Sequence, residues 1–266
     1  GRRIFYRVSG RGPFALVMPV PWGMDSYVYS KGLSSLEFYL ALVIFDSRGV
    51  GRSGPAAPAA EFSLETIATA AACVADAVGL PRSVVLGHSG GGAVAITYAL
   101  RYPQQVSHLI LVSTAARWTG PSPLEVGDGL PATEEEMRRR MREAMQRAVR
   151  DPDRFAHAMD ELLPRMRFSP ERLRWTGEVG VASFDVRSRL HEIRVPTLLV
   201  QGREDPYVSM ADAEAIHEGI HGSRLALLED CGHWPHVELR REFVEAVKEF
   251  LGLADRGGLL LVVGPQ

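Results

Sequence analysis

Ser89, Asp205 and His233 are the side chains whose types and settings suit nucleophilic acyl chemistry. Ser89 stands in S-V-V-L-G-H-S-G-G-G-A-V-A-I-T-Y-A-L, residues 83–100, where an apolar run (Val84, Val85, Leu86) stops at Gly87 and a helical pattern begins at Ala93. Strand, G-x-S-x-G and helix in that order are the sequence form of a nucleophile elbow, in which a serine sits on a sharp, strained turn. Its neighbours must be small for the turn to close, and the glycines at 87 and 91 carry no Cβ. The helix behind the serine aims its first N–H groups at the point where negative charge would develop. A bare G-x-S-x-G also occurs in ordinary glycine-rich turns; here the strand before it and the helix after it favour chemistry.

A serine hydroxyl is a poor nucleophile until an imidazole takes its proton, and an acid must fix that imidazole's tautomer and stabilise its charge. Asp205 follows the apolar run Thr197–Gln201 in Q-G-R-E-D-P, and His233 follows Arg224–Leu228 in D-C-G-H-W-P-H. Serine, acid, histidine is one of the chain orders in which such a triad occurs. Each partner has a rival. Glu204 adjoins Asp205, and His236 competes with His233, whose preceding glycine lets its loop approach closely. No acid follows the run His108–Ser113, which leaves that location empty. Asp46 also ends a strand, where a carboxylate is expected to hold turn N–H groups.

The elements that must position these groups alternate. Gly1–Val8, Phe14–Val20, Leu40–Phe45, Val84–Leu86, His108–Ser113, Thr197–Gln201 and Arg224–Leu228 read as strands, with a turn at Ser9–Pro13. Helices are expected over Tyr27–Tyr39, from a Ser63 cap through Val78 to Gly79, from the elbow to Arg101, and over Met210–Gly219 and Leu239–Leu251. Apolar strands alternating with helices predict a mostly parallel sheet flanked by helices, an α/β architecture whose ligands sit beyond the carboxyl ends of the strands. The alternation breaks over 117–190, which carries no convincing strand. Thr133-x-x-Glu136 reads as a capping box, and Asp151-Pro152 and Ser169-Pro170-Glu171 open two further helices. Glu134–Arg138, Glu135–Arg139, Glu136–Arg140 and Glu143–Arg147 are spaced as i,i+4 pairs for a wet face, and Met137, Met141 and Met145 form one stripe. That stripe is either ordinary core or the wall of an apolar substrate pocket.

The 266 residues suit one α/β domain with an insertion, or two small domains. Composition is that of a globular protein, 46% hydrophobic and 23% charged, and a formal charge of -2 leaves no basic footprint for nucleic acid. Lys31 and Lys248 are the sole lysines among thirty basic residues. Cys73 and Cys231 make neither a disulfide framework nor a metal site. No signal-peptide pattern and no membrane-spanning run is evident, so a cytoplasmic location is expected, with no membrane, nucleic-acid, metal or cofactor requirement.

Read together, G-H-S-G-G, D-S-R-G-V-G-R-S (46–53), V-P-T-L-L-V-Q-G-R-E-D (195–205) and G-H-W-P-H-V-E (232–238) resemble the α/β-hydrolase superfamily over nearly the whole chain. The resemblance implies an α/β-hydrolase core at 1–116 and 191–254, an all-helical cap at 117–190, and a C-terminal tail at 255–266. It also implies Ser89 as nucleophile, Asp205 as acid and His233 as base. The R-G-x-G-R-S loop is similar to that of prolyl aminopeptidases and of cofactor-free haloperoxidase-like esterases, whereas serine at 89 argues against the epoxide hydrolases and dehalogenases, which use aspartate there. In such members the oxyanion is held by the N–H after the nucleophile, here Gly90, and by one from the loop after an early strand. That loop usually carries His-Gly but here reads Val20-Pro21-Trp22-Gly23. Aligning Val20-Pro21 with His-Gly leaves the Trp22 N–H as second donor; the shifted alignment puts proline there, which has none. Gly90 also stands where prolyl aminopeptidases usually have tryptophan.

A serine esterase-like hydrolase acting on a small carboxylic ester, lactone or amide is therefore the leading expectation. A prolyl aminopeptidase (proline iminopeptidase) is the alternative, and a ligand-binding protein on the same fold is the alternative of another class. The expected partner is a small-molecule substrate. Leu259–Val263 in the tail are apolar enough to extend a sheet edge or touch a second subunit, which leaves a homo-oligomer open.

Overall fold

The computed structural model describes residues 3–56, 62–118, 124, 129–181 and 184–254. The tail expectation at 255–266 lies outside the described residues. The strands are β1 (Tyr6–Gly10), β2 (Phe14–Met18), β3 (Ala41–Phe45), β4 (Ser83–His88), β5 (Val106–Val112), β6 (Thr197–Gly202) and β7 (Arg224–Leu228). They form one sheet of order β1-β3-β2-β4-β5-β6-β7. β1 runs antiparallel to β3, and every other pair is parallel. Every residue of β3, β4 and β6 is buried, as strands covered by helices on both faces require.

The helices are α1 (Tyr29–Gly32), α2 (Leu64–Val78), α3 (Gly90–Arg101), α4 (Glu134–Ala148), α5 (Pro152–Leu162), α6 (Pro170–Trp175), α7 (Met210–Gly219), α8 (Pro235–Glu238) and α9 (Arg240–Leu251). Local chemistry sets many of their starts: Ser63, Thr133, Asp151, Ser169 and Ser209 each accept an N–H of the first turn. Gly79 closes α2 in the left-handed region. α4, α5 and α6 all fall between β5 and β6, and no helix of the described residues is long and apolar enough to cross a membrane.

Several expectations need correction. β1 ends at Gly10 rather than Val8, because pairing with β3 continues through Gly10↔Ala41 and supplies partners where the sequence suggests a turn. The segment 27–39 is not one helix: it runs as a 3-10 turn at Ser26–Val28, α1, and a 3-10 turn at Ser34–Phe38. Gly32 ends α1 where its backbone packs against the His236 ring with no room for a Cβ. Arg140 is buried, not on a wet face, and gives its guanidinium to the carbonyls of Leu124 and Gly129 and to Glu136. Glu134–Arg138 and Glu136–Arg140 form as spaced, but Arg139 reaches forward to Glu143. The capping box is half made: Thr133 accepts from Glu136 N, while Glu136 accepts from Ala132 N. Cys73 and Cys231 are both free.

Candidate active site

Ser89 joins β4 to α3 at φ 54 and ψ -128, a region that non-glycine residues rarely occupy. The turn is held from several sides: Ser89 N–H donates to Val112 O at 2.9 Å, and Ser89 O accepts from Gly92 N at 2.8 Å and Thr114 Oγ1 at 2.7 Å. Closure depends on absent side chains, because a Cβ on Gly87 would strike the Gly91 carbonyl. Strain at a junction so tightly held has the form found at functional sites.

The other two candidates meet each other. His233 Nδ1 lies 2.8 Å from Asp205 Oδ2 and 3.0 Å from Oδ1, with both side chains almost fully buried. Asp205 also accepts the N–H groups of Tyr207 (2.8 Å) and Val208 (3.0 Å), and the Gln201 amide at 3.3 Å. Burial pushes its carboxyl up, but the His233 ring and the two backbone N–H groups outweigh that and leave it below its ordinary value. Glu204, its rival, turns away and accepts from Cys231 N.

His233 and Ser89 line one small cavity of about 40 Å³, together with Val20, Trp22, Met24, His88, Leu124, Met141, Ala144, Met145, Tyr207 and Trp234. Among the described residues the Ser89 hydroxyl makes no hydrogen bond. Met141 and Met145 face the cavity, whereas Met137, fully buried, packs its methyl beside Gly23 and does not. The stripe divides because α4 turns its first methionine into the core.

Two further histidines surround the pair. His88 donates Nε2–H to the His233 carbonyl at 2.8 Å, and its ring lies 4.9 Å from that of His233. Burial, followed by the His236 and His233 charges, holds its pKa well below the ordinary value. His236 is pushed down to about 3 by burial, then by His233 and Arg240. Both rings therefore stay neutral, and His233 is the member joined to a carboxylate.

The Gly90 N–H is the first of α3 and has no partner within the helix. The loop 20–23 abuts it: Pro21 Cδ and Trp22 Nε1 each lie 2.8 Å from where a Cβ on Gly90 would sit. The Trp22 N–H makes no backbone hydrogen bond among the described residues. Gly90 and Trp22 are thus brought together beside Ser89.

The same loop ends at Asp25, which is 3% exposed and accepts Tyr27 N. Asp46 ties this loop to the loop 46–53 by accepting Ser26 Oγ and the N–H groups of Ser26 and Arg52. Burial, then the Asp46 charge, pushes Asp25 from 3.8 up to about 6. A raised native pKa means the folded state holds the proton more tightly, so its stability contribution is full at low pH and declines as pH rises through that interval. Asp25→Asn keeps the acceptor for Tyr27 and removes the titration. Thermal melts should show it more stable than the parent by up to about 3 kcal/mol at pH 8, with little gain at pH 4. An equal change at both pH values would contradict this.

The sequence pattern of the α/β-hydrolase fold family matches residues 21–238. A 2-hydroxy-6-oxo-2,4-heptadienoate hydrolase of Pseudomonas putida is 28% identical over 208 residues, covering 73% of this chain and 72% of the relative. A proline iminopeptidase of Saccharolobus solfataricus is 27% identical over 283 residues, covering 92% and 87%. Among solved structures, the enol-lactonase from Burkholderia xenovorans LB400 superposes with a TM-score of 0.78 at 20% identity, covering 94% of this chain and 97% of that one, a likeness of fold.

Proposed function

The chain belongs to the α/β-hydrolase family, and from that premise we propose that it is a cofactor-independent serine hydrolase cleaving a small carboxylic ester, lactone or amide. Residues 117–190 act as a helical cap over a core of 1–116 and 191–254, and the reaction is confined between them. The observation that carries the reading is the Asp205–His233 contact at 2.8 Å, made by a histidine that lines one cavity with the strained Ser89.

Asp205 accepts the Nδ1–H of His233, which leaves Nε2 bare. Nε2 takes the Ser89 proton as Oγ bonds to the acyl carbon, and the carbonyl electron pair moves onto oxygen. In this reading the N–H groups of Gly90 and Trp22 are the donors that meet the charge of that oxyanion. Collapse expels the alkoxide or amine, which leaves with the proton from His233. Water, deprotonated by the same ring, then attacks the acyl-enzyme and Ser89 regains its proton.

An apolar acyl group suits the cavity, where Val20, Met24, Leu124, Met141 and Met145 are the aliphatic wall and no carboxylate stands among the described lining residues. An aminopeptidase must hold a substrate ammonium, and an unpaired charge is costly to bury. Four of the cap acids that could serve are paired with cations of this chain and do not line that cavity: Asp160 with Arg142, Glu161 with Lys31, Asp185 with Arg187 and Glu134 with Arg138. The proline iminopeptidase relative favours that activity as the second reading.

A fluorophosphonate probe should label Ser89 in the parent. After allowance for the easier ester, p-nitrophenyl butyrate should be turned over more efficiently than proline p-nitroanilide. Efficient proline release with weak esterase activity would reverse the order, and absence of labelling and of turnover across acyl and prolyl substrates would leave a binding protein.

A further inference from the structure

Glu238 is a buried carboxylate with no part in the proton transfers above, and among the described residues all its hydrogen bonds go to backbone. Only 3% exposed, it accepts Trp234 N at 3.0 Å on Oε1, and Gly232 N at 3.1 Å and Arg150 N at 2.8 Å on Oε2. Gly232 and Trp234 are the residues on either side of His233. The third donor comes from the chain just past α4, the helix that gives Met141 and Met145 to the cavity. His233 completes the connection, donating its own N–H to Ala148 O at 2.7 Å. Three successive N–H groups of the histidine loop are thus fixed, two by Glu238 and one by the end of α4. A Cβ on Gly232 would strike the Ala148 carbonyl and come within 3.2 Å of Glu238 Oε1, so the packing is close on all sides.

We propose that Glu238 is a positioning residue for His233: it sets the backbone from which the imidazole projects and locks that backbone to the cavity-lining helix α4. The proposal rests on the reading of His233 as the base. The carboxylate is required for chemical reasons. Ionised, it offers two oxygens that only accept, matching three converging donors. A glutamine offers one accepting oxygen, and its NH2 would face an N–H. The result is a donor left unpaired in a buried place and a loop pushed aside. Displacement of a catalytic group by an ångström costs on the order of 100-fold in rate.

Glu238→Gln should therefore lower kcat by about 10- to 100-fold with KM within about threefold, while Tm shows a folded protein. The limb of the kcat–pH profile that reports His233 should move as well, which loss of packing alone would not cause. Glu238→Asp keeps the charge one methylene short and should recover part of the rate. Folded variants with unchanged kcat and unchanged pH profile would overturn the proposal, as would an aspartate variant no better than glutamine. Should neither variant fold, amide exchange in the parent decides: the N–H groups of Gly232, Trp234 and Arg150 should exchange as slowly as those of β4, and rapid exchange would overturn it. His233→Ala separates the two readings. If it retains parental activity the base assignment itself fails; if it is inactive while Glu238→Gln is unaffected, only the positioning role fails.

Discussion

Ser89→Ala is expected to abolish turnover, with kcat falling on the order of 10⁶-fold, because a nucleophile, its base and its acid act as a unit. The fold should survive. The hydroxyl makes no hydrogen bond among the described residues, while the bonds that hold the turn use the Ser89 backbone, which alanine keeps. A circular-dichroism melt close to the parent together with lost hydrolysis of p-nitrophenyl butyrate is the expected pair of results. Loss of fluorophosphonate labelling is the third. Residual activity within about tenfold of the parent, a barrier change of about 1.4 kcal/mol, would remove Ser89 from the mechanism.

Asp205→Asn should cost on the order of 10⁴-fold in kcat/KM, roughly 5 kcal/mol of barrier, for a reason visible in the donors around it. Tyr207 N and Val208 N both point at Oδ1. An asparagine must keep its oxygen there, which turns its NH2 towards His233 Nδ1. The imidazole then accepts at Nδ1 and carries its proton on Nε2, so it is unable to take one from Ser89. Gln201 would also find a donor in place of Oδ2, which adds a modest loss of stability. Glu204→Gln is the control. Glu204 contacts Cys231 N rather than His233, so that variant should retain parental kcat/KM. Equal losses in the two variants, or an Asp205→Asn enzyme within tenfold of the parent, would show that Asp205 does not orient the base.

The features legible in the sequence are local. The elbow is legible because strand, tight turn and helix are set by residues within a few positions: the apolar run of β4, the glycines that leave room for the turn, and the first N–H groups of α3. The helix starts at Ser63, Thr133, Asp151 and Ser169 are legible for the same reason, since each side chain bonds an N–H three residues on. The strand alternation likewise foretold the mostly parallel sheet. Tertiary structure alone decided which groups meet. Asp205 and Glu204 are adjacent in sequence, and only the turn after β6 decides which carboxylate faces a histidine 28 residues on. Met137 and Met141 share a stripe, yet the packing of α4 sends one into the core and the other to the cavity. Arg140 looked solvated by its spacing until carbonyls from the preceding loop enclosed it. Glu238 stands in the 232–238 motif, but its tie to Arg150, 88 residues away, was not legible there, because backbone N–H groups leave no mark on residue types. Periodicity and capping act within a turn or two of chain, whereas burial and hydrogen bonding between distant segments exist only once the sheet and its helices have packed.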